Sequence, residues 1–368
     1  MTAPEPFTIE VADEVLDDLR ERLARTRLLD DSPRRPPSGI DAAYLRELVD
    51  SWQHWDWRAR EAWLNRHPQF IAQVGDASVH FVHLRSERPD APALLVMHGW
   101  PHTFALQLDF ADLLPDVHVV VASLPGFAFS SPYANGPMTE RRLADTMHRL
   151  MADVLGYERY VTYGEDVTAN VSDLIAASYP EHVAGIVATH AHFPTGSDRD
   201  AVTDPDERAF FDALSERLGP DGAYGHVQGT RPDTLAAALN DSPVGLLAWI
   251  TEKLVEWSDT PPGDPSAVER RISRDRILTE AMIYWVTQTI QSSFRPYYEG
   301  ADTLIPPTGV PAAVWIQRHE AGYPESLATA HYLDLRWFDR LEAGGHFAIA
   351  EVPDEMAGRM RRFLAMLG

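Results

Sequence analysis

The stretch Tyr160-Val161-Thr162-Tyr163-Gly164-Glu165-Asp166-Val167-Thr168 constrains this chain more than any other. An apolar strand runs into a sharp turn and straight into a helix, the outline of a nucleophile elbow, with Asp166 where a serine would stand. A carboxylate there cannot be a conventional acyl-transfer nucleophile. It suits displacement at carbon, such as opening an epoxide or expelling a halide. An aspartate just before a helix also serves as an N-cap for orphan amides, so the elbow alone leaves both roles open. Gly164 permits the sharp turn, whereas Thr168 is larger than the glycine common at its position.

Around the elbow, strands alternate with helices. Val79–Leu84, Pro92–Met97, Val117–Ala122, Tyr160–Tyr163 and Val183–Ala188 read as strands, and Pro92–Met97 is apolar throughout, so it is expected to be buried on both faces. Helical periods run from Arg141 to about Leu155 and from Val167 to about Tyr179. This is the pattern of an α/β fold, a mostly parallel sheet covered on both faces, with sites at the carboxyl ends of its strands.

Two regions break the rhythm. Residues 195–300 are helical, polar and punctuated at Gly219-Pro220-Asp221-Gly222 and Pro261-Pro262-Gly263, which predicts an inserted helical cap. Residues 1–85 predict a helical N-terminal extension. A helix from Val11 to about Leu28 stops at Pro33-Arg34-Arg35-Pro36-Pro37, and a second runs from Ile40 to about Gln69, with Tyr44, Trp52 and Trp55 as core aromatics. Strands return at Ala312–Ile316 and Leu333–Phe338, and a helix from Pro353 to Leu367 closes the chain. The expected organisation is therefore an extension at 1–85, a first part of the core at 86–194, the cap at 195–300 and a second part of the core at 301–368.

Three further loops carry chemistry. His98-Gly99-Trp100-Pro101 follows an apolar strand and can aim the Trp100 amide, beside that of Val167, at developing negative charge. Ala343-Gly344-Gly345-His346-Phe347 offers His346 as a general base with glycines around it. Glu320, just after the strand ending near Gln317, is placed to orient that imidazole, with Asp334, Asp339 and Glu325 as rivals. The order nucleophile, acid, histidine is that of the α/β-hydrolase layout. His102, His190, His192 and His319 read as pocket or surface residues, and no metal constellation stands out.

Composition excludes more than it proposes. With no cysteine there is no disulfide, thiolate or cysteine–zinc chemistry, and a formal charge of −23 argues against nucleic acid and anionic membranes as partners. No apolar run is long enough to cross a bilayer and the first residues do not resemble a signal peptide, so a cytoplasmic location is the default expectation.

The chain resembles the epoxide hydrolases of the α/β-hydrolase superfamily, in the branch with an N-terminal extension like that of microsomal epoxide hydrolase. The resemblance spans the segment from Pro6-Phe7, the His98-Gly99-Trp100-Pro101 loop, Pro125-Gly126-Phe127, the elbow and Gly344-Gly345-His346-Phe347. The cap segments Leu239–Leu246, Tyr284-Trp285 and Ser292-Ser293 carry it further. It implies an α/β-hydrolase fold with a helical cap, and hydrolysis of a small-molecule epoxide by water to a vicinal diol. Asp166 would be the nucleophile, Glu320 the acid, His346 the base, and Tyr224 and Tyr297 the cap proton donors, with Tyr298 as the alternative to Tyr297. No metal or organic cofactor and no membrane anchor are implied, and the oligomeric state stays open, a homodimer included. Two other functions are kept: a haloalkane-type dehalogenase using the same aspartate, and a non-catalytic binding protein. Glu165, Val167 and Thr168 depart from the family's elbow; neighbouring side chains on a turn diverge, so the carboxylate at 165 is expected to point away, whereas one facing Asp166 would raise its pKa.

Overall fold

In the computed structural model, residues 3–30, 39–192, 194, 199–300 and 304–368 are described, so the break expected at Pro33–Pro37 lies outside them. Nine strands form one sheet in the order β1-β2-β3-β5-β4-β6-β7-β8-β9. They are β1 Glu5–Phe7, β2 Gln69–Val74, β3 Ala77–Leu84, β4 Ala93–Met97, β5 His118–Ala122, β6 Tyr160–Gly164, β7 Val183–Ala188, β8 Thr308–Ile316 and β9 Tyr332–Arg340. From β5 through β4, β6, β7 and β8 to β9 every pairing is parallel, whereas β1, β2 and β3 are added antiparallel at one edge. All residues of β4, β5 and β6 are buried, as expected for strands covered on both faces.

The first 85 residues thus join the sheet through three strands. The second N-terminal helix is also not continuous to Gln69. It divides into Ala42–His54 and Trp57–Leu64, because Asp56 caps the second piece by accepting from the Ala59 amide at 3.1 Å. Gln69 begins a strand instead. Its side chain is buried between His80 and the Leu64 carbonyl, a polar inward position that hid the strand's alternation.

After β7 the chain leaves the sheet and returns at β8. The intervening segment is helical, with Pro205–Asp221, Ala223–Thr230, Pro232–Asp241, Pro243–Trp257 and Arg274–Thr287 as its main helices. The first ends at Asp221 and the second begins at Ala223, within the stretch read as punctuation. No helix among the described residues is long and apolar enough to cross a membrane.

Candidate active site

β6 ends at Gly164 and the elbow helix begins at Val167, which leaves Glu165 and Asp166 in the turn, with Asp166 at φ 56° and ψ −132°. That conformation costs a non-glycine residue of order 1–3 kcal/mol and is held only because the surroundings dictate it. A Cβ on Gly164 would sit 2.0 Å from the Thr168 carbonyl oxygen, and one on Gly99 would sit 2.3 Å from the Asp166 Cβ. The side chain of Asp166 makes no capping bond to its helix. Capping therefore does not account for this aspartate.

Its carboxylate faces two kinds of partner. The Trp100 amide donates to Oδ1 at 3.2 Å, and the Val167 amide also hydrogen-bonds the group. On the other side, His346 Nε2 lies 3.5 Å from Oδ2. Burial pushes the Asp166 pKa up, but the His346 contact and then the Val167 amide outweigh it, and the carboxyl lies below its ordinary range. A carboxylate kept ionised is the result.

His346 is fixed by packing. The His346 amide donates to the Trp257 carbonyl at 2.9 Å, and Gly345 lies so close to that carbonyl that a Cβ would meet it at 2.4 Å. Asp259 accepts from the Gly344 amide at 3.1 Å and Glu351 from the Phe347 amide at 3.2 Å. At the far side of the imidazole, His190 Nε2 stands 3.1 Å from His346 Nδ1. Glu320, on a short turn after β8, lines the same cavity as His346 and His190. The rival acids do not line it: Asp339 pairs with Arg359 at 2.7 Å, Asp334 with Arg336 at 3.1 Å, and Glu325 opens an outer helix.

Above Asp166 is a cavity of about 650 Å³ whose wall includes Tyr224, Trp257, Tyr297, Glu320 and His346. The Tyr224 ring stacks on Trp100 at 5.3 Å and meets the Tyr297 ring at 5.8 Å. Burial first, and then the charge of Asp166, push the Tyr297 phenol well above its ordinary value of 10.0, so it carries its proton at neutral pH. Tyr298, the alternative, is 55% exposed and points elsewhere.

The four other histidines divide. His190 and His319 line the cavity, whereas His102 is buried, neither in the pocket nor on the surface. His192 joins Asp173 and His331 in a cluster that no sequence spacing announced, with ligand-type atoms within 4.8 Å of one another. Its two imidazoles stack at 3.8 Å with planes 20° apart, so their lone pairs run nearly parallel instead of converging on one ion. Burial raises Asp173 to about 8 and lowers His192 and His331 to about 4 and about 3, and Tyr332 donates to Asp173 at 3.1 Å. All three are neutral at pH 7, which suits a hydrogen-bonded cluster better than a cation site.

Sequence and structure comparisons agree with this geometry. Residues 4–106 match the family described as epoxide hydrolase N terminus, and residues 92–219 match the alpha/beta hydrolase fold. Epoxide hydrolase 1 of Sus scrofa is 30% identical, over 98% of this chain and 88% of its own. The chain belongs to the epoxide hydrolase family. Juvenile hormone epoxide hydrolase from the silkworm Bombyx mori superposes with a TM-score of 0.88 at 25% identity, covering 100% of this chain and 95% of its own. The Aspergillus niger epoxide hydrolase gives 0.84 at 27%, covering 100% and 97%. The enzyme thus has the α/β-hydrolase fold with a helical cap and an N-terminal extension, and it hydrolyses epoxides.

Proposed function

We propose that epoxide hydrolysis here proceeds in two steps through an ester on Asp166. Oδ2, the oxygen facing His346, attacks a ring carbon as the carbon–oxygen bond on that carbon breaks. Tyr224 and Tyr297 hydrogen-bond the departing oxygen, and one gives it a proton, because a bare alkoxide leaves poorly in a dry cavity. His346 Nε2 then removes a proton from a water that attacks the ester carbonyl carbon. Charge gathers on Oδ1, where the Trp100 amide points and the Val167 amide is near, and its collapse releases a vicinal diol. His190 stands 3.1 Å from the imidazole and Glu320 lines the same cavity, and we assign to them the holding of the imidazole and a share of its charge.

One observation supports this reading above the rest: a single carboxylate has the Trp100 amide at one oxygen, an imidazole at the other, the Val167 amide bonded to the group and two tyrosines in the cavity over it. A haloalkane dehalogenase would use the same floor but has no need of a phenol pair. His346→Gln tests the proposal, since ring opening does not require the base. Incubated with a styrene-type epoxide, this variant should gain the mass of one substrate, located on Asp166. An unchanged mass, with ring opening still catalysed, would defeat the two-step account.

A further inference from the structure

Behind the nucleophile lies a buried polar group that the two steps above do not use. The side chain of Glu165 turns away from the cavity and is fully buried. Tyr163 donates to its Oε1 at 2.8 Å and Gln107 Nε2 to its Oε2 at 3.4 Å, and His102 Nε2 stands 3.1 Å from the same Oε2. His102 is also buried, and it lies on the loop that carries the Trp100 amide. Glu165 lies on the elbow that carries the Val167 amide. The contact therefore joins, side chain to side chain, the two backbone segments that supply the oxyanion donors.

The rest of the join is near its base. Met97 accepts from the Glu165 amide at 3.3 Å and from Thr168 Oγ1 at 3.0 Å, which fixes the start of the loop, and the Gly99 amide points at His102 Nε2 at 3.4 Å, so His102 meets both the loop backbone and Glu165. Oxyanion donors help only when aimed before charge develops, and a displacement well under an ångström weakens them. A buried carboxylate that lost a partner would cost several kcal/mol, so this contact resists the drift that would misalign Trp100.

We propose that Glu165 and His102 are positioning residues for hydrolysis of the Asp166 ester, and that their contact sets the spacing of the Trp100 and Val167 amides. The proposal rests on Asp166 as nucleophile. The two steps respond to it differently. In ring opening the Asp166 carboxylate loses charge, so amide donors give that transition state no advantage over the ground state. In ester hydrolysis the carbonyl oxygen gains a full charge, and the donors act there. Loosening the contact therefore slows the second step alone. When breakdown of an intermediate slows and its formation does not, kcat and KM fall together and kcat/KM is kept.

The test compares wild type with Glu165→Ala, His102→Ala, the double variant and Glu165→Gln, using a styrene-type epoxide. Misaligning one donor should cost less than removing it, so each alanine variant is expected to lose about tenfold to a hundredfold in kcat. Their kcat/KM should stay within about threefold of wild type, and the ester should accumulate during turnover by intact mass. The double variant should be no slower than the slower single, because the two residues act as one unit. Glu165→Gln keeps the shape and a hydrogen bond once His102 shifts its proton to Nδ1, and it should retain most of kcat. Should an alanine variant not fold, His102→Phe fills the space without a hydrogen bond and is read the same way. Equal losses in kcat and kcat/KM without ester, or a lower melting temperature with an unchanged kcat per folded molecule, would overturn the proposal. Wild type that makes diol with no ester at all would overturn the covalent reading as well.

Discussion

The floor and the roof of the cavity hold their reacting groups by different means. At the floor, Asp166 is over-determined: glycines at 99 and 164 admit no Cβ, and a Thr168 hydroxyl accepts from the Glu165 amide at 2.9 Å while donating to the Met97 carbonyl. The carboxylate sits at the carboxyl end of a central parallel strand, where the sheet fixes position on both sides. At the roof, Tyr224 and Tyr297 ride on the cap helices Ala223–Thr230 and Arg295–Glu299, joined to the floor through ring contacts with Trp100. Ring contacts give area without a fixed register, whereas tight backbone packing fixes an atom. Asp166 is thus held by tight backbone packing, whereas Tyr224 and Tyr297 are held on the cap by ring contacts.

The contrast orders the expected effects of substitution. Asp166→Asn should cost about 10⁴-fold or more in diol formation, because the floor has no substitute nucleophile. Tyr297→Phe should cost far less, about tenfold to a hundredfold, and only in ring opening, since Tyr224 remains to donate. Single-turnover kinetics separate the steps, and equal slowing of both would remove Tyr297 from the donor role. Gly164→Ala should destabilise by about 3 kcal/mol or more, seen as a lower denaturation midpoint, since the added methyl meets backbone and not a movable side chain. By contrast Gly225→Ala, whose Cβ would meet only the Tyr297 ring at 3.9 Å, should be nearly neutral for stability.

A further effect is a pH dependence in the cluster beside the elbow helix. Asp173 titrates at about 8 when folded and near 3.8 when unfolded, so between these values the folded state holds an extra proton and stability falls as pH rises. His192 and His331, lowered to about 4 and about 3, have the opposite sign, but only below their unfolded value of 6.5. From pH 6.5 to 8, therefore, Asp173→Asn should remove a decline in stability that wild type shows. Parallel curves for the two proteins would show that this carboxyl titrates normally.

What the sequence disclosed follows the same division. The elbow, the loop at His98 and the loop at His346 were legible because their constraints are local: glycines next to chemistry, at strand ends. The cap tyrosines came only through family resemblance, since the direction of a side chain on a cap helix is set by tertiary packing. His190 against His346 spans 156 positions and His102 against Glu165 spans 63, separations at which no periodicity carries information. Neighbouring side chains on a turn diverge, so the extra carboxylate at 165 is expected to point away from Asp166, and it does; what the sequence did not show is that His102, Gln107 and Tyr163 engage it on the buried side. Strand β2 was missed for a different reason, its buried Gln69 breaking the expected alternation, while the Asp56 cap was a signal available in the sequence.

A single turnover in heavy-oxygen water, with enzyme in excess over epoxide, tests the covalent account most directly. The account predicts unlabelled diol and one heavy oxygen in the peptide containing Asp166, because water attacks the side-chain ester and not the substrate. Label found in the diol, with none on Asp166, would contradict it.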